Sequence, residues 1–112
     1  IVIASPVYYG TLPGAVLSVM SRLQPWHVAK FFLNQPLKQR PKKSAAILTA
    51  GGKGNQKNAQ HHLGAFFRMV NAEGFYEHTV CSPHTDTIPA WEDRAAMEGV
   101  AELAKWLNRS DV

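Results

Sequence analysis

The sequence predicts an α/β domain built on a parallel sheet, and three observations predict it. Ile1-Val2-Ile3-Ala4 and Ser44-Ala45-Ala46-Ile47-Leu48-Thr49 are short apolar runs, the pattern of strands buried on both faces. Each run is followed by a segment whose apolar residues recur at helical spacing. A third strand and a third helix complete a strand–helix–strand–helix–strand–helix order, which calls for right-handed crossovers and a sheet covered on both sides.

The first strand ends at Ser5-Pro6. Thr11 is placed to cap the first helix, and Pro13 falls in its first turn, where a missing N–H costs nothing. Leu12, Val16, Met20 and Leu23 then form one stripe. Residues 24–43 are interrupted by prolines and charge clusters and read as a long excursion, with a helical turn around Val28–Leu33. The basic run Lys38, Arg40, Lys42 and Lys43, flanked by Pro36 and Pro41, reads as a solvated connection.

Gly51-Gly52 stops the second strand. The helix after it is expected from Gln56 to Ala72, with Ala59, Leu63, Phe66, Phe67 and Val70 inward and Gly74 as its C-terminal cap. Phe75 to Cys81 is the third strand, broken by Ser82-Pro83. The last helix has Pro89 near its start, Glu92 and Asp93 in its first turn, and Lys105 and Arg109 near its end, an order that complements the helix dipole. Its expected buried stripe is Trp91, Ala95, Val100, Leu103, Ala104 and Leu107.

Composition narrows the function classes. The chain has 112 residues, 46% of them apolar and 18% charged, enough for one core. No apolar run approaches the roughly 20 residues that span a bilayer, so no membrane partner is expected. Ile1–Ala4 lacks the basic leader and long apolar stretch of a signal peptide. Cys81 is the only cysteine, which removes an intrachain disulfide and a Cys-ligated cluster and favours a cytoplasmic setting. The net charge of +4 is too small and too local for a nucleic-acid face. His61 and His62 are adjacent rather than at chelating spacing, so no metal site is expected.

Ligands of open parallel sheets bind beyond the carboxyl ends of the strands. Two of those ends carry unusual loops. Ser5-Pro6-Val7-Tyr8-Tyr9-Gly10 pairs a rigid turn with two aromatics and a glycine just before a helix. Gly51-Gly52-Lys53-Gly54-Asn55 holds three glycines in four positions before the next one. Glycine frees backbone amides at a helix N-terminus for close approach to an anion or a polar ring edge. The second loop matches neither a Walker A motif nor a full GxGxxG, and a plain turn explains it equally well. His84 and Asp86, near the third strand end, read as ordinary loop residues.

The residues IVIASPVYYGTLPGAVLSVMSR resemble the NADPH-dependent FMN reductase family of flavodoxin-like proteins. There an apolar strand runs into S/T-P-V-Y-aromatic-G and then a helix ending near D-R. SAAILTAGGKGNQKNAQHHLGAFFRMVNAEGF resembles the family's next strand, Gly-rich loop and helix. The resemblance spans essentially the whole chain. It implies a three-layer flavodoxin-like α/β fold with a parallel sheet, of which residues 1–112 hold only the C-terminal three β/α units. It also implies FMN as cofactor, NADPH or NADH as electron donor, and a quinone, flavin or other small-molecule acceptor.

Carried over, Ser5, Pro6, Val7, Tyr8, Tyr9 and Gly10 would wrap the flavin ring, and Gly51, Gly52, Lys53 and Gly54 would line its other side. No side chain is assigned a catalytic role, because a flavin carries its own redox chemistry. Leu17 and Ser21 depart from the lysine and aspartate common in the family; Arg22 remains. The Ser/Asn/Arg-rich loop that binds the FMN phosphate in the family has no counterpart here. The expectation is therefore that the first two β/α units lie outside this chain. Upstream residues or a homo-oligomer would then cover the edge of the first strand, and the chain alone would not work as a flavoenzyme. A flavodoxin-type electron carrier and a flavin-free α/β interaction module remain the alternative readings.

Overall fold

The computed structural model describes residues 1–35, 40–52 and 55–110. The three expected strands form one parallel sheet. β1 (Val2–Pro6) and β5 (Thr79–Ser82) flank β3 (Ala45–Thr49), in the order β1-β3-β5. The register pairs Val2 with Ala45 through Pro6 with Thr49, and Ala46 with Thr79 through Thr49 with Ser82. β3 is central, and Ala45, Ala46 and Leu48 are completely buried. β1 pairs with β3 alone among the described residues, and Val2 is exposed along it.

Alternation along the strands assigns the helices to two faces. Ile3, Ala46, Leu48 and Cys81 point to one face, where the core gathers Leu12, Leu63, Phe67 and Phe75. Helix α1 (Gly14–Ser21) covers this face through Val16 and Met20, α2 (Gln24–Phe31) through Trp26, and α3 (Lys57–Met69) through Ala59, Leu63 and Phe67. Val80 points the other way, onto α4 (Arg94–Leu107), where Gly99 lets the two elements approach closely. Helices lie on both sides of the sheet, but the expectation of a first strand buried on both faces is corrected: Val2, Ala4 and Pro6 on the second face of β1 are exposed. Burial pushes the Cys81 thiol up, against the opposing hydrogen bond from the Gln60 amide, which keeps it protonated and unreactive.

Several local expectations are corrected. α2 forms two regular turns starting at Gln24, with Pro25 in its first turn, rather than a single turn near Val28–Leu33. Thr11 does not cap α1. Its backbone bonds back to Tyr8, and the helix starts after Pro13. α3 ends at Met69, and Asn71 (φ +55°) takes the left-handed position after it, so Gly74 is not its cap. The third strand is shorter than expected, because Phe75–His78 form a turn that buries Phe75 and bonds His78 N–H to the Phe75 carbonyl.

The basic run is only partly a solvated connection. Pro36 and Lys38 lie outside the described residues. Lys42 and Lys43 form β2 (Lys42–Lys43), a short parallel pair with β4 (Ala72–Glu73). The Lys42 ammonium donates to the Arg40 and Val70 carbonyls at 2.9 and 2.7 Å. Lys43 donates to Trp106 and Arg109 at 2.7 and 2.6 Å. The Val70, Trp106 and Arg109 carbonyls lie at the ends of α3 and α4, where the helix dipoles are negative, whereas Arg40 lies just before β2. The desolvated charges are thus paired with backbone oxygens that would otherwise lack partners.

α4 buries most of the C-terminal half of the expected stripe but not its N-terminal half. A 3-10 turn at Ala90–Glu92 precedes it and leaves Trp91 exposed, while Ala95 and Ala104 also face water. Leu103 is buried and Val100 and Leu107 half-buried, as the stripe expected; Ala96, not in that stripe, is also buried, and Gly99 and Trp106 are half-buried. Asp93 is the N-cap. Its carboxylate accepts from Ala96 N–H at 3.1 Å and from the Ser82 hydroxyl at 2.8 Å. Those two hydrogen bonds hold its pKa below the ordinary carboxylate value.

Two expectations follow for stability. Asp93→Ala should lower the unfolding temperature at neutral pH. A lowered folded-state pKa contributes stability above the usual carboxylate range, lost as pH falls through the folded value. The gap between variant and parent melts should therefore narrow on acidification below about pH 4. Gly74→Ala should cost about 2–4 kcal/mol in chemical denaturation. Gly74 has φ +94°, and an added Cβ would lie 2.7 Å from the Trp106 ring, which stacks on His78.

Candidate functional site

Parallel strands in one register bring their carboxyl ends to the same side, and three loops leave the sheet there. The ladder continues past the strands. Val7 N–H donates to the Thr49 carbonyl at 2.8 Å, Ala50 N–H to Ser82 at 3.0 Å, and Thr85 N–H to Ala50 at 3.0 Å. The exits of β1, β3 and β5 are thus tied together.

In the first loop Ser5 and Val7 are buried, and the Ser5 hydroxyl donates to the Pro6 carbonyl. Those two residues hold the loop rather than face a ligand. Pro6, Tyr8 and Tyr9 are exposed. Tyr8 and Thr11 exchange two backbone hydrogen bonds, 2.9 and 3.0 Å, around Tyr9 (φ +52°) and Gly10 (φ +72°). Two consecutive positive φ values make this a type I′ turn. Tyr9 sits at its tip, fully exposed and in a conformation that non-glycine residues seldom adopt.

The second loop faces the first. A Cβ on Gly10 would lie 3.4 Å from the Asn55 carbonyl oxygen. Gly51 and Gly52 are exposed; Lys53 and Gly54 lie outside the described residues. The two glycines differ. Gly52 has φ +61° and open space on its side-chain side, whereas the space beside Gly51 is filled by Asp86, whose Cβ is 3.3 Å away. Only Gly52 has the conformation and the open side that suit close approach by a ligand.

Sequence reasoning missed three residues here. Asn55, just before the N-cap Gln56, ties down the start of α3, its side-chain oxygen accepting from Lys57 N–H at 2.9 Å; an asparagine before an apolar-periodic run was the available signal. Gln56 is buried, and neither its amide nitrogen nor its amide oxygen has a partner. No local pattern announces such an orphaned amide. Asp86 reaches Gly51 only through tertiary contact. No helix among the described residues is long and apolar enough to cross a membrane.

A three-layer α/β sheet with its loops gathered at the strand carboxyl ends is the flavodoxin-like arrangement, and it defines the class of this protein. The chain belongs to the NADPH-dependent FMN reductase family, whose model matches residues 1–86. At family level it is an FMN-dependent oxidoreductase. Comparison with curated proteins and with solved structures returns no match.

The residues present fit an isoalloxazine ring. A flavin pyrimidine edge offers both hydrogen-bond donors and acceptors, and the loops after β1 and β3 present backbone groups to each other at Gly10 and Asn55. The open backbone at Gly52 suits a flat ring. The turn itself is testable: Tyr9→Asn creates the Asn-Gly pair that type I′ turns prefer and should stabilise the fold by about 0.5–1 kcal/mol. Gly10→Val should cost about 1–3 kcal/mol, both read by denaturant unfolding.

Proposed function

We propose that this protein is an FMN-dependent NAD(P)H oxidoreductase of flavin- or quinone-reductase type. The observation that carries the reading is the approach of Gly10 to Asn55, which joins the loops after β1 and β3 into one cleft. In this reading Pro6, Tyr8, Tyr9, Gly10 and Gly52 face the FMN ring, while buried Ser5 and Val7 hold the first loop behind them. Bound FMN supplies the redox chemistry, accepting a hydride from NADPH or NADH and passing electrons to a small-molecule acceptor.

The chain's own contribution is binding and electrostatics. Backbone amides of the two loops, with the positive end of the α3 dipole behind them, favour negative charge at the ring. Buried Ser5 and Val7 fix the first loop so that its outer residues need little ordering on binding. Tyr8 and Tyr9 present exposed aromatic faces to an incoming planar ring. No side-chain acid or base is needed for hydride transfer.

The test uses the full protein loaded with FMN. Rapid oxidation of NADPH under single-turnover conditions is expected. Stable flavin binding without that oxidation would make it an electron carrier, and failure to retain flavin would make it an interaction module. Gly52→Asn separates cofactor contact from a mere turn. Asparagine tolerates the left-handed backbone, so stability should change by less than about 1 kcal/mol. FMN affinity, by fluorescence titration, should fall at least tenfold because the new side chain fills the open space.

A further inference from the structure

Charge is divided along the chain. Of its 12 lysines and arginines nine fall in residues 1–72, whereas all 8 aspartates and glutamates come after Ala72. α1, α2 and α3 lie before that point, so the helical layer on their side of the sheet is built without a carboxylate. Glu73 and Glu77, the first two acids, line a separate cavity with Arg68.

A groove of about 150 Å³ opens in this layer. Met20, Leu23 and His27 line one wall, and Ala65, Phe66 and Met69 the other. The apolar surface continues outward from it. The Phe31 and Phe32 rings lie 4.9 and 6.1 Å from the His27 ring, and both phenylalanines and Leu33 are exposed. An exposed apolar patch rimmed by polar groups marks an interaction surface. Two exposed cations stand beside the first wall. Arg22 precedes Leu23, and Lys30, one turn after His27, lies 5.3 Å over the Phe31 ring. Among the described residues neither has a carboxylate partner.

We propose that this groove docks an acidic amphipathic helix of another protein, one bulky apolar side chain of that helix filling the groove and its carboxylates meeting Arg22 and Lys30. Volume sets the anchor. A drug-sized ligand needs about 300 Å³ or more, whereas a single leucine or phenylalanine side chain fills the space here. Charge sets the sign. A second copy meeting this face across a two-fold axis would bring Arg22 and Lys30 against their own counterparts, with no carboxylate in the layer to offset them. A helix offers apolar residues at i, i+3, i+4 and i+7, so those beside the anchor cover Phe31 and Phe32.

The experiment uses the full protein and a fluorescein-labelled helical peptide of about 15 residues, with leucine and phenylalanine on one face and glutamate on the other, read by fluorescence anisotropy. It should bind at least about tenfold more tightly than the same peptide with lysine in place of glutamate, and added salt should narrow that gap. Ala65→Trp fills the groove from an exposed position, and the pair Arg22→Gln and Lys30→Gln removes the cations; each should weaken binding about tenfold. Lys105→Gln, on α4, should leave it unmoved. No binding of the acidic peptide, equal affinity for the two peptides, or binding that Ala65→Trp leaves unchanged overturns the proposal. Sedimentation with phosphatidylcholine–phosphatidylserine vesicles that Phe32→Ser abolishes makes the face a membrane surface, and a parent dimer that Ala65→Trp splits makes it a subunit contact; either overturns it.

Discussion

Everything at the candidate site depends on β3, the strand hydrogen-bonded on both sides. Its neighbours run parallel to it in fixed register, and Ala45, Ala46 and Leu48 leave no accessible surface. A strand so enclosed cannot slip by one residue without turning every side chain to the wrong face. Because the register is fixed, the exits of all three strands are fixed as well. Thr49 and Ala50 extend the ladder beyond the last paired residues and hold the first and third loops against the second. The cleft is therefore a consequence of sheet pairing, with the loops contributing its surface.

The opposite end of the molecule is organised by charge. Lys42 and Lys43 stand between the sheet and the carboxyl ends of α3 and α4, and Lys43 lies 5.1 Å over the Trp106 ring. Trp106 stacks face to face with His78 at 3.5 Å, and the His78 ring nitrogen bonds the Gly74 carbonyl. Gly74 has room for nothing larger. The helices are thus anchored at one end by cation–carbonyl contacts, leaving their amino ends pointing toward the loops. For α3 that end carries Asn55 and the orphaned Gln56 amide. A buried amide without partners is costly, and such costs are tolerated most readily where a ligand completes the hydrogen bonds.

The two described glycines of the second loop show how one residue type serves two ends. Gly52 supplies a left-handed backbone and an open side. Gly51 supplies room, and a neighbouring carboxylate occupies it. Tyr9, strained and fully exposed at the tip of its turn, marks the opposite wall. Backbone strain of that kind persists only where the surrounding ladder holds it in place.

Local pattern was enough to read much of this. The continuous apolar run at Ser44–Thr49 specified the buried central strand of a parallel sheet, while the run at Ile1–Ala4 also forms a strand but one exposed on its outer face. Turn chemistry located the loops, and the Ser-Pro-Val-Tyr-Tyr-Gly sequence carried the family. What long-range packing decided lay elsewhere. Lys42 and Lys43 read as solvated because a charge run shows nothing of the helix ends that later surround it. On α4, Val100, Leu103 and Leu107 were legible as inward, but Trp91 and Ala95 were placed wrongly because Ala96 and Gly99 are weak hydrophobic signals, and the small Gly99 lets the helix close on Val80. Asp86 read as an ordinary loop residue, since its position against Gly51 exists only once β3 and β5 have paired. Sequence fixes which faces are apolar through periodicity along one chain; which residues meet across the cleft is set by contacts between segments far apart in it.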